Sequence, residues 1–169
     1  KLNKQQLIQS LTNLIYIEHF KIVNRILDYF VDEVSDKKEK NLLYKECPKP
    51  ITWNEIEKLS KNPIISFQSH SVTHTAVSGL SENEIEDEMI KSKKIIEQHT
   101  GLKVHSFCYP YGAEKSIGVH APKIAAKHYN SAVTLMRGRL KKNNPFYLPR
   151  IDLYNGDSPS FVRLKVILN

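Results

Sequence analysis

Two histidines four residues apart are the part of this sequence whose types and spacing point most directly to chemistry. His70 and His74 lie in residues 66–74, where an apolar run gives way to polar residues. Imidazole suits Zn²⁺, and this spacing lets both rings reach one ion if the backbone makes a helical turn after a strand. Histidines also occur in hydrogen-bonded Ser/Thr loops, so the pair alone leaves both interpretations open.

Further motifs accompany the pair in a fixed order. The chain reads Ser-His-Ser-Val-Thr-His at residues 69–74, Tyr-Pro-Tyr-Gly at residues 109–112 and Leu-Pro-Arg-Ile at residues 148–151. In this order the sequence resembles the NodB-type polysaccharide deacetylases, also called carbohydrate esterase family four. The resemblance runs from about Ile51 to the C-terminus.

The resemblance implies a hydrolase that removes N-acetyl groups from amino sugars of a polysaccharide or oligosaccharide with the help of a metal. His70 and His74 match the two metal-binding histidines, and the implied cofactor is a divalent metal, with Zn²⁺ as first choice. Tyr111 matches the residue whose backbone N–H helps to hold the oxyanion. Arg150 matches an arginine that many members keep near the site.

The Tyr-Pro-Tyr-Gly segment also suggests a place for the sugar. Aromatic rings stack on sugar faces, which makes Tyr109 and Tyr111 candidate walls of a sugar pocket, and we predict that Tyr109 and Pro110 contribute to substrate binding. Pro-Tyr-Gly is equally a good turn sequence in any protein, and a tyrosine at a strand end often packs half-buried. The sequence leaves the binding and packing interpretations side by side.

The sequence also departs from the family pattern. Members usually open with a strand ending in paired aspartates, which supply the general base and the third metal ligand. Before His70 the early aspartates Asp28, Asp32 and Asp36 follow a helical pattern instead, and Cys108 stands where many relatives have an arginine. Because the chain opens on Lys1 within a helical pattern, we expect a fragment whose base and third ligand lie upstream.

Three functional hypotheses follow from these motifs. The first is the C-terminal part of a polysaccharide deacetylase, incomplete or inactive as given because the Asp-Asp motif is absent. The second is a non-catalytic, carbohydrate-binding or structural member of the same fold. The third is a helical interaction module formed by residues 5–34, whose apolar stripe leads us to expect self-association through that stripe or through a bare sheet edge.

Periodicity and capping signals predict alternating strands and helices. Residues 1–50 are predicted to be a helical segment and linker, and residues 51–169 the C-terminal part of a deacetylase domain. The alternation predicts an α/β fold with a mostly parallel sheet, and the resemblance implies a distorted (β/α) barrel of the NodB type without its first strands. The predicted helices are 5–34, 52–59, 82–99, 119–128 and 159–168, and the predicted strands are 63–69, 103–109, 130–135 and 146–153.

Composition and charge limit the classes of partner that this chain could bind. The net charge of +7 comes mostly from lysines scattered along the 169 residues, whereas a nucleic-acid surface requires a denser basic stripe with aromatics. We therefore predict no nucleic-acid partner. No apolar run is long enough to span a bilayer, and the two cysteines form no disulfide framework. Localisation stays open.

Overall fold

The computed structural model of the chain describes residues 49–139 and 144–168, together with six single helical positions, 5, 6, 9, 10, 25 and 29. The predicted helix over residues 5–34 therefore lies, as a whole, outside the described residues. The same holds for most of the predicted linker before residue 50. Where the structure describes the chain, no helix is long and apolar enough to cross a membrane.

Four parallel chain segments pair side by side at the centre of the described region. Strands β1 (Ser106–Cys108) and β2 (Ser131–Val133) form a parallel pair. Isolated parallel bridges extend this pair on both sides, through Ser69 beside β1 and through Leu148 beside β2. The parallel pairing agrees with the predicted α/β class.

The first of these segments is shorter than the sequence predicts. A strand was expected over residues 63–69, but backbone pairing is confined to Ser69, whose N–H and C=O bond to Ser106 and Cys108. One position earlier, the side-chain oxygen of Gln68 accepts the N–H groups of His105 and Ser106 at 2.9 Å each. The prediction was wrong in extent because a side chain there replaces the backbone ladder.

The last segment is likewise reduced to a bridge. The predicted strand over residues 146–153 pairs as a strand only at Leu148, which exchanges hydrogen bonds with Ala132 and Thr134. Residues 144–147 before it form a turn, in which the Tyr147 N–H donates to the Asn144 carbonyl at 3.3 Å, and Pro149 after it has no N–H to donate to a ladder. The extended run is therefore interrupted on both sides of Leu148.

The two helices around the histidine loop begin where their capping residues predict. Helices α1 (Trp53–Leu59) and α2 (Glu82–Thr100) both start with a capping box, in which Thr52 or Ser81 bonds reciprocally with the glutamate three positions later. Helix α2 ends at Gly101, whose φ of 68° is left-handed. Glycine adopts this conformation at little cost, which explains why the helix stops there.

Four further helical elements complete the described region. The predicted closing helix is confirmed as α5, and Ser158 caps it by accepting the N–H of Phe161 at 3.2 Å. The predicted helix near residues 119–128 is present as α4, with proline in its first turn. The elements are a 3₁₀ turn (Val77–Gly79), α3 (Glu114–Ile117), α4 (Ala121–His128) and α5 (Pro159–Leu168).

The core lies between the parallel segments and the helices α2 and α4. Phe107 of β1 is fully buried, and its ring lies 5.4 Å from the rings of both Tyr109 and Tyr129. Helices and strands contribute to one cluster, in which apolar burial holds the sheet in place. Its other members include Ile85, Met89, Ile117, Ala121, Ile124, Ala125 and Ala132.

Candidate functional site

Residues that follow the four parallel segments meet at one edge of the sheet. His70 follows the Ser69 bridge, residues 109–112 follow β1, Thr134 follows β2, and Arg150 lies two positions after the Leu148 bridge. The carboxyl ends of parallel strands are where α/β proteins place their ligand sites. This edge is therefore the candidate site.

The two histidine rings lie together at this edge. The ring centroids of His70 and His74 are 4.8 Å apart, and the ring planes are inclined by 79°. Nδ1 of His70 lies 2.7 Å from the carbonyl oxygen of Cys108. A carbonyl only accepts hydrogen bonds, so Nδ1 carries the proton and Nε2 keeps its lone pair. That tautomer is the one a metal-binding histidine uses when a carbonyl holds its other nitrogen.

The two histidines are electrostatically different. A hydrogen bond with the Cys108 side chain, reinforced by the one to the Cys108 carbonyl, raises the pKa of His70 against the opposing effect of burial. Burial, together with the charge on His70, lowers the pKa of His74. As the pH falls, His70 is therefore protonated before His74.

The loop after His70 has an unusual backbone. Ser71 and His74 have φ values of 66° and 56°, in the left-handed region that non-glycine residues rarely adopt. The Ser71 hydroxyl accepts the N–H of His74 at 3.0 Å. One carboxylate oxygen of Glu88, in helix α2, accepts the N–H groups of Val72 at 2.8 Å and of Thr73 at 2.9 Å. These bonds hold the loop in the conformation that brings the rings together.

The Tyr-Pro-Tyr-Gly segment forms a tight turn beside the histidines. The N–H of Gly112 donates to the carbonyl of Pro110 at 2.7 Å across Tyr111, whose φ is 60°. A hydrogen bond between residues two apart, with positive φ between them, marks a strained γ-turn. The Tyr111 ring stands edge-on to His74, with centroids 4.9 Å apart.

Glycine is required at the end of this turn. Gly112 has a φ of 60°, and a Cβ placed on it would lie 2.5 Å from the backbone nitrogen of Leu135. Its carbonyl accepts the N–H of Leu135 at 2.8 Å, which ties the turn to the end of β2. Only a residue without a side chain allows this close approach.

Arg150 brings a positive charge to the same edge. Its Nε donates to the carbonyl oxygen of Thr134 at 2.6 Å, so the guanidinium is fixed at the end of β2. Burial by itself raises the pKa of the Cys108 thiol. The hydrogen bonds that the thiol makes with His70 and Arg150, together with the charges of these two residues, outweigh burial, so the pKa is lowered. Arg150, Cys108 and His70 are therefore electrostatically coupled.

The structure does not support the predicted sugar contacts of Tyr109 and Pro110. Both side chains are fully buried, and the Tyr109 hydroxyl donates to the carbonyl of Phe146 at 3.1 Å. Burial raises the pKa of Tyr109 and keeps the hydroxyl neutral. Tyr109 and Pro110 therefore pack in the core beneath the turn. The half-buried ring of Tyr111 is the aromatic group nearer to the histidines.

The arrangement suits a metal at the histidine pair only in part. Two imidazoles with one tautomer fixed by a carbonyl are an appropriate donor set for Zn²⁺. Among the described residues, no group of three His, Cys, Asp or Glu side chains could hold a metal ion. The pair therefore fits two positions of a metal site, and a third protein ligand would have to come from outside the described residues.

A separate groove of about 500 Å³ lies along helix α5. Its Lys165 already bonds to Asp157 at 2.6 Å and lies 4.9 Å from the ring centres of both Tyr154 and Phe161. Neither histidine lines it. The lining residues are Arg137, Ile151, Asp152, Tyr154, Asp157, Phe161, Leu164 and Lys165.

Sequence comparison decides the family. The profile of the polysaccharide deacetylase family matches residues 23–130, which span the histidine loop and the Tyr-Pro-Tyr-Gly turn. The chain belongs to the polysaccharide deacetylase family. The match begins upstream of residue 51, where the motifs place the start of the resemblance. No curated protein sequence matches the chain significantly.

Solved polysaccharide deacetylases share the fold. A deacetylase from Streptococcus pyogenes, in complex with acetate, superposes with a TM-score of 0.63 at 24% identity, over 73% of this chain and 54% of its own. A polysaccharide deacetylase from Bacillus cereus gives 0.62 at 20% identity, over 72% and 38%. A de-N-acetylase from Aggregatibacter actinomycetemcomitans gives 0.56 at 16% identity, over 68% and 53%.

The structural similarities establish that this chain has the α/β fold of the (β/α)-barrel deacetylases, and the profile match places it in a family of hydrolases. The chain spans between 38% and 54% of the length of these three relatives. The predicted family and the predicted α/β class are thereby confirmed, whereas the distortion of the barrel and the absence of its first strands stay predictions. The metal ligands and the catalytic roles of Tyr111 and Arg150 stay predictions.

Glu88 is the site residue that sequence reasoning missed. It lies on α2 between the buried residues Ile85 and Met89 but is itself only partly buried. An acidic residue between two core positions is a mismatch in the apolar stripe, because charged side chains are mostly exposed. That mismatch was the available signal, but the partners are backbone N–H groups, which leave no mark in the sequence.

Proposed function

We propose that the chain forms part of a metal-dependent polysaccharide N-deacetylase, acting on N-acetylated amino sugars, with its site at the carboxyl edge of the parallel segments. One observation carries the proposal: the rings of His70 and His74 lie 4.8 Å apart there. Family membership supports the reaction class.

In this proposal Nε2 of His70 and the ring of His74 provide two ligands to a divalent metal such as Zn²⁺. When bound, such a metal polarises an acetyl carbonyl and lowers the pKa of a coordinated water. The bond from His70 Nδ1 to the Cys108 carbonyl keeps the lone pair on Nε2 and fixes the direction of the ring.

In the proposed reaction, the turn at Tyr111 stabilises the carbonyl oxygen of the acetyl group. Attack on an amide carbonyl develops negative charge on its oxygen, and a preorganised backbone N–H stabilises that charge. We assign this donor to Tyr111, because its strained turn lies beside the histidines, with the Tyr111 and His74 ring centroids 4.9 Å apart. Gly112 maintains the turn by packing directly on Leu135.

Arg150 adds a fixed positive charge. Its bond to the Thr134 carbonyl leaves the guanidinium at the site edge, where it lowers the pKa of the Cys108 thiol. In the proposed reaction this charge orients a carboxylate or a substrate group.

The general base and third ligand are assigned to residues outside the described part of the chain. We propose further that the fold is a distorted barrel, and that the four parallel segments are its later strands. Among the described residues, no segment pairs with Ser69 on the side away from β1, and the proposal includes self-association through that edge or through residues 5–34.

A second candidate is a non-catalytic, carbohydrate-binding or structural member of the same fold. The observation that favours it is that no carboxylate of the described residues joins the histidine pair in a three-ligand group. The general base contributes about 10²–10⁴ in rate, so a chain without one would bind the sugar and turn it over very slowly.

The two candidates are separated by measuring acetate release from N-acetylglucosamine oligomers with and without a chelator. Chelator-sensitive release that is lost in His74→Ala supports the enzyme. Saturable binding of the oligomer, with release no faster in the wild type than in His74→Ala, supports the non-catalytic member. Asp87→Ala, which removes an exposed i,i+4 pair with Lys91, is the matched control and keeps wild-type behaviour.

A further inference from the structure

Helix α2 holds the chain on both sides of His70. One turn of the helix separates the partly buried Glu88 from the buried Ser92, and the two residues lie beside the core positions Ile85 and Met89. The Ser92 hydroxyl bonds to the hydroxyl of Ser69, directly before His70. The Glu88 carboxylate takes the two N–H groups that follow Ser71.

The Ser69 contact is itself fixed from a second direction. The buried hydroxyl of Tyr129 lies 2.9 Å from the Ser69 hydroxyl and donates to the Met89 carbonyl at 2.7 Å. The strand side of His70 is therefore held by a network of three hydroxyl groups, of Ser69, Ser92 and Tyr129. The loop side has a different kind of support, because among the described residues the acceptor of the Val72 and Thr73 N–H groups is the Glu88 carboxylate.

The loop needs that support because its conformation is unfavourable. Positive φ at Ser71 and at His74 costs of order 1–3 kcal/mol each unless the surroundings impose it. Consecutive N–H groups beside a left-handed residue form a concave nest that prefers an anion. A carboxylate there makes charge-assisted hydrogen bonds, which are the strong kind.

We infer that Glu88 is a positioning residue, which sets the distance between the His70 and His74 rings by holding the backbone of residues 71–74. The inference rests on the proposed metal role of the two histidines. Glu88 acts on the two histidines indirectly, by accepting the backbone N–H groups of Val72 and Thr73.

The test is Zn²⁺ affinity of the full chain, measured by isothermal titration with the metal alone. Glu88→Ala is expected to weaken the affinity by about 10- to 100-fold, the range for residues that orient metal ligands. Glu88→Gln keeps an acceptor oxygen at the same reach and is expected to stay within about threefold of the wild type. The control Asp87→Ala removes the same charge from the neighbouring helix position, where the carboxylate is exposed and pairs with Lys91, and leaves the affinity unchanged.

A second readout does not depend on the metal. Amide hydrogen exchange at Val72 and Thr73 is expected to be about tenfold faster, or more, in Glu88→Ala than in the wild type, because both N–H groups lose their acceptor. If the wild type binds no Zn²⁺, the proposed function fails while the exchange rates still decide the role of Glu88.

The inference is overturned by wild-type affinity and wild-type exchange in Glu88→Ala. It is also overturned if Asp87→Ala weakens Zn²⁺ binding as much as Glu88→Ala, or if Glu88→Gln is as weak as Glu88→Ala. Should Glu88→Ala fail to fold, Glu88→Asp replaces it. That variant keeps the charge but is one methylene too short, and the same losses are expected.

Discussion

Along the site edge three non-glycine residues, Ser71, His74 and Tyr111, have positive φ values, and no other non-glycine residue of the described part of the chain does. In the core beneath it, the described buried side-chain nitrogen and oxygen atoms all have hydrogen-bond partners. Strained backbone persists only where the surroundings impose it, and it concentrates at functional sites. The contrast between edge and core supports the assignment of the edge to function.

The two regions also differ in what fixes their residues. In the core, burial fixes the large side chains, as for Phe107 and Met89, and the hydroxyl network fixes the polar ones. At the edge, hydrogen bonds to backbone fix the conformation, as with Glu88, and a close backbone contact does so at Gly112. Substitutions should therefore have different signatures in the two regions.

The largest expected effect on stability at the edge comes from Gly112→Ala. The new Cβ would lie 2.5 Å from the Leu135 nitrogen, in addition to the unfavourable φ, so we expect the free energy of unfolding to fall by about 3 kcal/mol. The measurement is urea denaturation at equilibrium.

Gly101→Ala is the matched control for Gly112→Ala. Gly101 has a similar φ of 68°, but nothing lies within 4 Å of an added Cβ. The expected loss is about 1 kcal/mol. Equal losses in the two variants would show that packing on Leu135 does not matter at the turn.

In the core, Tyr129→Phe tests the hydroxyl network. The change removes bonds to the Ser69 hydroxyl and to the Met89 carbonyl without altering the packing of the ring. We expect the free energy of unfolding to fall by about 1–2 kcal/mol, measured by urea denaturation. Tyr147→Phe is the control, because that hydroxyl makes a longer bond of 3.4 Å to Gly118. An equal loss in the control would contradict the role given to the network.

The smallest expected effect is a pH dependence of metal affinity. Protons compete with a metal for imidazole, and the Cys108 hydrogen bonds raise the pKa of His70 while burial lowers that of His74. As the pH falls, affinity should therefore begin to decline above the ordinary histidine pKa of about 6.5, by up to tenfold per pH unit, as His70 is protonated.

Ring-proton NMR of the metal-free chain checks the order of the two titrations. The account expects His70 to titrate at higher pH than His74, since their pKa values shift in opposite directions. If His74 titrates first on acidification, the hydrogen bonding inferred for His70 is wrong.

Sequence predicted the helices of this chain better than its strands. Capping boxes at Thr52 and Ser81 and the glycine at residue 101 are local signals, and the helix ends follow them. The outer strands depend on partners remote in sequence. Gln68 interrupts pairing with its side chain, and Leu148 stands between a turn and the donor-less Pro149, so both predicted strands are reduced to single bridges.

The sequence predicted the histidine pair of the candidate site, but not the residues that hold the site in place. The spacing of His70 and His74 after an apolar run indicated the pair, because such spacing is set by local backbone geometry. The burial of Tyr109 and the reach of Glu88 depend on how α2 packs against the sheet. Such contacts across the fold are not encoded in any short motif.

The central claim is that His70 and His74 bind one divalent metal together, and titration of the full chain with Zn²⁺ tests it most directly. The account predicts one ion per chain, with binding weakened at least 100-fold in both His70→Ala and His74→Ala, as expected for loss of one of few ligands. His99→Ala, which removes an exposed contact with Glu57, serves as control and retains wild-type affinity. Wild-type affinity in either His70→Ala or His74→Ala would contradict the account.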